Sequence, residues 1–343
     1  MGQVVLVTGV SRYLGGQMAR RLTEDPGVDR VIGVDVVPPR DDIGKAEFVR
    51  ADIRNPIISK VINAASVDTV VHMGVIATPI QAGGRMSMKE INVIGTMQLL
   101  AACQKSASVR RLIVKSTTSV YGAGPRDPAM FSEDIEPKHA PSSGWAKDSV
   151  EVEAYVRGFA RRRPDVTVTT LRFANFIGPR VQTPMTSYFS LPAVPVVMGF
   201  DARLQFVHED DGLRAIHEAA VADQPGIFNI AGDGILPLSQ AIRLAGRVPF
   251  PLVPLMVSVA GRAMISTGLA DFSPEQVRFL TYGRGVDTTR MRDVLNFEPE
   301  FTTHEAFDSF VTARGLNRTL HPERIETVES TLAAVLTSGG HRA

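Results

Sequence analysis

The stretch QVVLVTGVSRYLGGQMARRL, residues 3 to 22, constrains this chain more than any other. Its continuous apolar run QVVLVT reads as a strand buried on both faces. Gly9 punctuates the run, and LGGQMARRL then carries the apolar spacing of a helix. Strand, tight turn and helix in that order are the setting in which a glycine fingerprint has meaning. Gly9 and Gly15 permit the turn and close strand–helix packing, and the N–H groups at the helix start would face a pyrophosphate. A middle glycine is expected at position 12, where Arg12 stands. Its Cβ need not block a phosphate, and its guanidinium has the length to reach the adenosine side of a dinucleotide.

The same rhythm continues. RVIGVDV and AEFVRAD read as strands, PIISKVINAAS as a helix and VDTVVHMG as a strand. SMKEINVIGTMQLLAACQKSA is a long helix, VRRLIVKSTTSVYG a strand leading into a loop, 142–162 a helix and DVTVTTLRFANFIGP a strand. Continuously apolar strands alternating with helices predict an α/β fold, a doubly wound parallel Rossmann sheet. After Pro179 the rhythm stops. LQFVHEDDGLRAIHEAAV and GIFNIAG look like returns to the sheet, so a dinucleotide-binding domain is expected over 1–178 with return segments near 205–231. A smaller, interleaved substrate lobe takes 179–204 and 233–320, and 321–343 reads as a surface helix and tail.

Charge excludes some classes of partner. The chain has 37 basic and 36 acidic residues, a net charge of +1, so no global field recruits nucleic acid or an anionic membrane. The dense basic run RGFARRRPD sits at the end of an amphipathic stretch and reads as a solvated helix C-terminus. A single cysteine, Cys103, excludes an internal disulfide and a cysteine-based metal cluster; no metal is expected. The longest apolar stretch, 248–261, is too short and too proline-broken to span a bilayer, and its expected use is to line a pocket. The N-terminus enters a strand without signal-peptide order, and the expected location is cytoplasmic.

Asp35 ends the second strand, twenty residues past Gly15. A carboxylate there accepts from both ribose hydroxyls and repels a 2′-phosphate, favouring NAD over NADP, while Arg12 and Arg40 pull the other way. Asp52 and Ile53, in RADIRN, suit the adenine edge; the competing reading is an aspartate capping the next helix.

The ordered series TGVSRYLG, strand-end Asp35, ADIRN, VVHMGV, INVIGTMQLL, VKSTTSVYG, SSGWAK, LRFANFIGP, QFVHEDD and VDTTRMRDVLNFEP resembles the extended short-chain dehydrogenase/reductases, within them the NAD-dependent nucleotide-sugar epimerase/dehydratase family. It covers about 3 to 310 and is most similar to actinobacterial members labelled UDP-glucose 4-epimerase. The resemblance implies that Gly9, Ser11, Arg12, Tyr13, Leu14 and Gly15 form the cofactor loop. Met73, Gly74 and Val75 lie beneath the adenine ribose, and Asn92 helps order the active-site lysine. Thr117 bonds the substrate hydroxyl, Lys147 grips the nicotinamide ribose, and Asn175 holds the sugar-nucleotide diphosphate. Arg203 lies one residue from the family's usual arginine. The helices near 88–105 and 143–160 imply a homodimer.

The largest departure is Ser143, where Tyr-x-x-x-Lys spacing from Lys147 calls for tyrosine. A phenol titrates near ~10 and can be lowered toward working pH by a neighbouring cation; a serine alkoxide is much harder to form. Tyr155 stands eight residues past Lys147, about 12 Å along the helix, too far to substitute. Tyr121, beyond the strand carrying Thr117, reads first as a packing or substrate-stacking residue and second as a substitute acid, and Glu133 and His139 are alternative bases on the loop above. Trp145 fills volume near the missing ring. His72, His208 and His217 read as structural. Lys147 and Glu151 have the spacing of an ordinary helix ion pair. Three functions stay open: an enzyme acting on a nucleotide-linked sugar, an NAD-binding sensor or scaffold with little turnover, and an enzyme on a more apolar substrate served by the 248–261 segment and the GGRMSMKE loop.

Overall fold

Strands form where the sequence concentrates its β-branched residues. In the computed structural model, which describes residues 2–73, 76, 83–138, 140–253 and 274–316, these are β1 (Gln3–Thr8), β2 (Val28–Asp35), β3 (Glu47–Arg50), β4 (Thr69–His72), β5 (Arg111–Thr117) and β6 (Thr167–Phe173). The short strands β7 (Asn175–Ile177), β8 (Ala193–Val197), β9 (Arg203–Leu204) and β10 (Phe206–His208) follow, then β11 (Gly226–Ile230), β12 (Leu236–Pro237) and β13 (Val248–Leu252). One seven-stranded sheet runs β11-β6-β5-β4-β1-β2-β3, every neighbour parallel. The order reverses between β1 and β4, and the crevice above that point is where such sheets take ligands.

The helices are α1 (Tyr13–Thr23), α2 (Ile57–Ala64), α3 (Arg85–Lys89), α4 (Thr96–Lys105), α5 (Gly144–Arg162), α6 (Pro184–Ser190) and α7 (Glu209–Val221), with further short helices beyond. A π-helical turn over Glu90–Gly95 joins α3 to α4 without a break. Met18 and Leu22 of α1 and Leu213 and Ile216 of α7 pack on the face carrying Val5, Val7, Val71 and Ile113. Ile58 and Ile62 of α2, Leu99 of α4 and Val152, Val156 and Phe159 of α5 cover Leu6, Val70, Leu112 and Val114 on the other. Each such side chain, fully withdrawn from water, contributes about 1.5–3 kcal/mol. A separate core joins Tyr188, Phe189, Phe206, Phe307 and Phe310, fed by β7, α6 and the helix Thr303–Ala313.

The basic run at 157–163 ends α5, with Arg161 and Arg162 in the last turn. Arg163 does more than meet solvent. Its guanidinium donates to the carbonyls of Cys103, Gln104 and Ser106 at 2.9, 3.2 and 3.0 Å, satisfying the open end of α4. No helix among the described residues is long and apolar enough to cross a membrane. The apolar segment's residues 254–261, and the tail beyond 316, lie outside the described residues.

Candidate functional site

A cleft of about 980 Å³ opens over the C-terminal ends of β1, β2 and β5 and is bounded by β7 and the start of α6. Gly9, Ser11, Arg12, Tyr13, Leu14 and Gly15 line it, with Asp35, Asp52, Ile53, Met73, Thr117 and Asn175. Most of the residues singled out in the sequence therefore share one cavity. Gly74, Val75 and His139 lie outside the described residues.

The turn after β1 is built as glycines require. Gly9 has φ +78°, and a Cβ on Gly15 would collide with the Gly9 carbonyl. Asp35 is anchored to that turn: its Oδ2 accepts from Ser11 N and Oγ at 3.0 and 2.6 Å, and its Oδ1 from Val36 N at 2.7 Å. Burial pushes the Arg12 guanidinium below its usual range, and the Asp35 charge works against that shift. Tyr13 donates to Glu209 Oε1 at 3.0 Å, tying the turn to the first turn of α7. These features fit a dinucleotide: a glycine cradle at a helix start and an acid at the end of the second strand.

Asp52 lines the cleft with its carboxylate already engaged. Arg54 grips its carboxylate, Nε at 3.0 Å and Nη2 at 2.7 Å, and this pairing lowers its pKa. Arg54 N also donates to Asp52 Oδ1, closing a turn; the cap of α2 is Pro56.

Behind the cleft floor a directional chain links β1, β4 and α4. Met73 N donates to Thr8 Oγ1 at 3.2 Å, and Thr8 Oγ1 lies 2.8 Å from His72 Nδ1. His72 Nε2 lies 2.8 Å from Thr96 Oγ1, which itself donates to the Asn92 carbonyl at 2.6 Å. Only the tautomer with the proton on Nε2 satisfies every bond. Burial holds this imidazole neutral, its pKa pushed down to about 4. His208 stacks on Phe301 at 3.8 Å and His217 meets Asp25 at 2.8 Å, so these too sit in structural settings.

The geometry corrects several expectations on the far wall. Lys147 is exposed on α5 and does not line the cleft. Glu151 pairs with Lys89, at 3.8 Å, rather than with Lys147. Ser143 begins α5 and donates to Glu275 at 3.3 Å, also outside the cleft lining. The cause is the rotation of the helix. Glu153, Ser149 and Trp145, spaced four apart, share a face, and at roughly 100° per residue Lys147 lies about 200° from Ser149. Glu153 and Ser149 are buried and Trp145 lines the cleft. The spacing of a Tyr-x-x-x-Lys pair is thus presented inward by Trp145 and Ser149, neither of which carries a proton-transfer group of useful pKa. Ser149 Oγ donates to the Trp145 carbonyl at 2.9 Å.

Tyr121 does not face the pocket. Its hydroxyl donates to Asn229 Oδ1 at 2.8 Å and accepts from Arg172 at 2.8 Å, and its ring stacks on Phe131 at 4.8 Å. Burial raises its pKa, the opposite of what a substitute acid needs. Glu133 likewise turns inward, accepting from Asn229 N at 2.8 Å. Asn92 reaches Ile76 and Asp148 rather than Lys147: it accepts from Ile76 N at 2.8 Å and donates to Asp148 at 3.3 Å. Arg203 pairs through its backbone with Pro237 and Gly283 and lines no part of the cleft. Of the Met-rich loop, Met86 is exposed and Met88 buried; neither lines the cleft.

Arg180 and Lys115 are among the cleft residues that the sequence did not mark. Arg180 lines the wall, its backbone N held by Glu209 at 3.0 Å. Lys115 projects from β5, and its ammonium lies 5.5 Å from the centre of the Phe176 ring. The signal was a charge in the interior of an apolar strand, RLIVKST, whose other basic residue, Arg111, stands at its start and pairs with Asp223.

Known proteins share this architecture. The structure of UDP-glucose 4-epimerase from Thermotoga maritima with UDP-glucose superposes with a TM-score of 0.69 at 21% identity, covering 91% of this chain and 99% of that one. UDP-glucuronic acid 4-epimerase from Bacillus cereus, in complex with UDP-glucuronic acid and NAD, gives 0.70 at 19%, covering 92% and 100%. At these identities the likeness speaks for the fold. An uncharacterized protein of Mycobacterium tuberculosis is 48% identical over 344 residues, 99% of this chain and 92% of its own length. The description of the NAD dependent epimerase/dehydratase family matches residues 5–231, which take in the parallel sheet and most of the cleft, and the chain belongs to that family.

Proposed function

We propose that the protein binds NAD in this cleft and acts on a nucleotide-linked sugar, with Thr117 at the hydroxyl that is oxidised and Asn175 at the diphosphate. The observation that carries the reading is the convergence of the Gly9–Gly15 turn, Asp35, Thr117 and Asn175 on one cavity. The loop from Gly9 to Gly15 holds the pyrophosphate, and Ile53 and Met73 border the adenosine. Asp35 spends three acceptor positions on Ser11 and Val36, and a carboxylate has about four. The remaining one suits a ribose hydroxyl and leaves a 2′-phosphate facing a negative charge, so NAD is favoured over NADP. When bound, the dinucleotide supplies the hydride acceptor. The chain's residues orient the sugar and exclude water.

One observation favours a second reading, an NAD-binding protein with little turnover: Trp145 is the residue of α5 that lines the cleft, and it carries no ionisable group. The two separate on one preparation. Calorimetry with NAD and NADP, followed by a panel of UDP-hexoses monitored by the absorbance of reduced nicotinamide and by NMR of the sugar, decides between them. NAD binding with hexose-dependent reduction or epimer formation supports the first reading; binding without either supports the second. Failure to bind NAD sinks both.

A further inference from the structure

We propose that Lys115 is the proton-transfer group of the cleft, its neutral amine accepting the proton of a substrate hydroxyl held beside Thr117. The proposal rests on the reading above that the cleft holds a dinucleotide and a polyhydroxylated substrate. Lys115 and Thr117 stand two residues apart on β5, so their side chains leave the same face of the sheet, and both line the cleft. Facing Lys115 are the Arg12 guanidinium from the turn after β1, the neutral His72 ring at the end of β4 and the Phe176 ring of β7. No carboxylate among the described residues forms an ion pair with it. A cation enclosed beside another cation and against an aromatic face is held away from full protonation. Its pKa is pushed down to about 8, first by burial and then by Arg12.

This placement answers the loss on α5. The inward helix positions hold Trp145 and Ser149, and Lys147 faces solvent, so the described cleft has no phenol and no ammonium from that helix. β5 brings an amine to the same cavity from the sheet side. In the forward step the O–H bond of the carbinol breaks and its proton passes to Lys115 Nζ, giving the ammonium. The carbon gives up its hydrogen as hydride to the dinucleotide, and a carbonyl forms. Charge and electrons balance, and the reverse step returns both. Arg12 disfavours the ammonium, so the proton is held loosely enough to be given back.

The test does not require turnover. The whole protein is acylated with acetic anhydride across a pH series, and each lysine is followed by peptide mass spectrometry. Lys147, exposed on α5, is the internal standard. The Lys115 amine is expected to titrate near 8, against about 10.4 for an ordinary lysine. At that pH it offers roughly 100-fold more neutral amine than a lysine with the ordinary value. Saturating NAD should protect Lys115 about fivefold or more and leave Lys147 untouched, in the manner of a site that a ligand closes. A midpoint equal to that of Lys147, or a Lys115 never acylated, overturns the proposal. So does NAD that binds by calorimetry without protecting it, or reduction of NAD by a UDP-hexose at equal rates in the wild type and Lys115→Met. Absence of NAD binding, or of reduction in either protein, with the low midpoint intact removes the cofactor or sugar assignment and leaves the amine standing.

Discussion

The Glu153 carboxylate and the Arg172 guanidinium meet at 2.7 Å in the interior, between α5 and β6. Glu153 also accepts from Ser116 Oγ at 2.6 Å on β5. This contact fixes the rotation of α5 about its axis, and so decides which of its residues see the cleft. A buried pair contributes little net stability over an apolar substitute, but breaking it leaves an uncompensated charge. Glu153→Gln should therefore destabilise the protein by about 3–5 kcal/mol in urea unfolding, and the double variant Glu153→Gln with Arg172→Met by clearly less. A loss below about 1 kcal/mol for the single variant would contradict the role given to the pair.

Lys147→Ala is expected to leave NAD affinity and unfolding free energy within about 0.5 kcal/mol of wild type, because the side chain is solvated and lies off the cleft. Calorimetry and urea titration check this directly.

Trp145 is the only tryptophan in the chain and lines the cleft, which makes it a built-in reporter. NADH should quench its emission by energy transfer to the dihydronicotinamide. An unchanged spectrum at NADH concentrations that saturate in calorimetry would place the cofactor elsewhere.

Gly15→Ala forces a methyl group into the Gly9 carbonyl. The expected outcome is loss of NAD binding together with destabilisation of more than about 1 kcal/mol, since α1 must move off β1. A variant that binds NAD normally would show that the turn tolerates displacement.

His72 predicts a particular acid limb. In the unfolded chain imidazole takes up its proton near 6.5, whereas the buried ring does so only near 4. Between these values the unfolded state binds more protons, so stability falls as pH drops through that window. Above 6.5 the ring has no effect; at the acid end the loss approaches about 3 kcal/mol at ~1.4 kcal/mol per unit. His72→Gln, which removes the ionisable group, should flatten the fall in denaturation midpoint between pH 7 and 4.

The fold was legible because parallel sheets advertise themselves: QVVLVT, RVIGVD and TVVH are apolar on both faces and separated by helices. The glycine turn and Asp35 were legible for a related reason, since their roles depend on backbone geometry at fixed chain positions. The far wall was not. Counting from Lys147 selected Ser143, but the count cannot show how a helix is rotated, and that rotation is fixed by a contact to Arg172, nineteen residues further along the chain. Tyr121 packs, as its sequence setting favoured over a substitute acid, but the partner of its hydroxyl, Asn229, lies 108 residues away and could not be read from the chain. Lys115 was not legible because the groups beside it, Arg12 and Phe176, come from other elements of the fold.

A homodimer through the exposed flank of α4 and α5 is a further expectation, with Ile94 on the adjoining π-helical turn and Tyr155 on α5 both about two-fifths exposed. Sedimentation showing only a 37.1 kDa species at micromolar concentration would oppose it.

Because Arg163 holds the terminal carbonyls of α4, the C-terminal ends of α4 and α5 are tied together. Arg162 adds a bond to Gln104 Oε1 at 3.0 Å, so a displacement of α5 along its axis would have to carry the end of α4 with it or break these bonds.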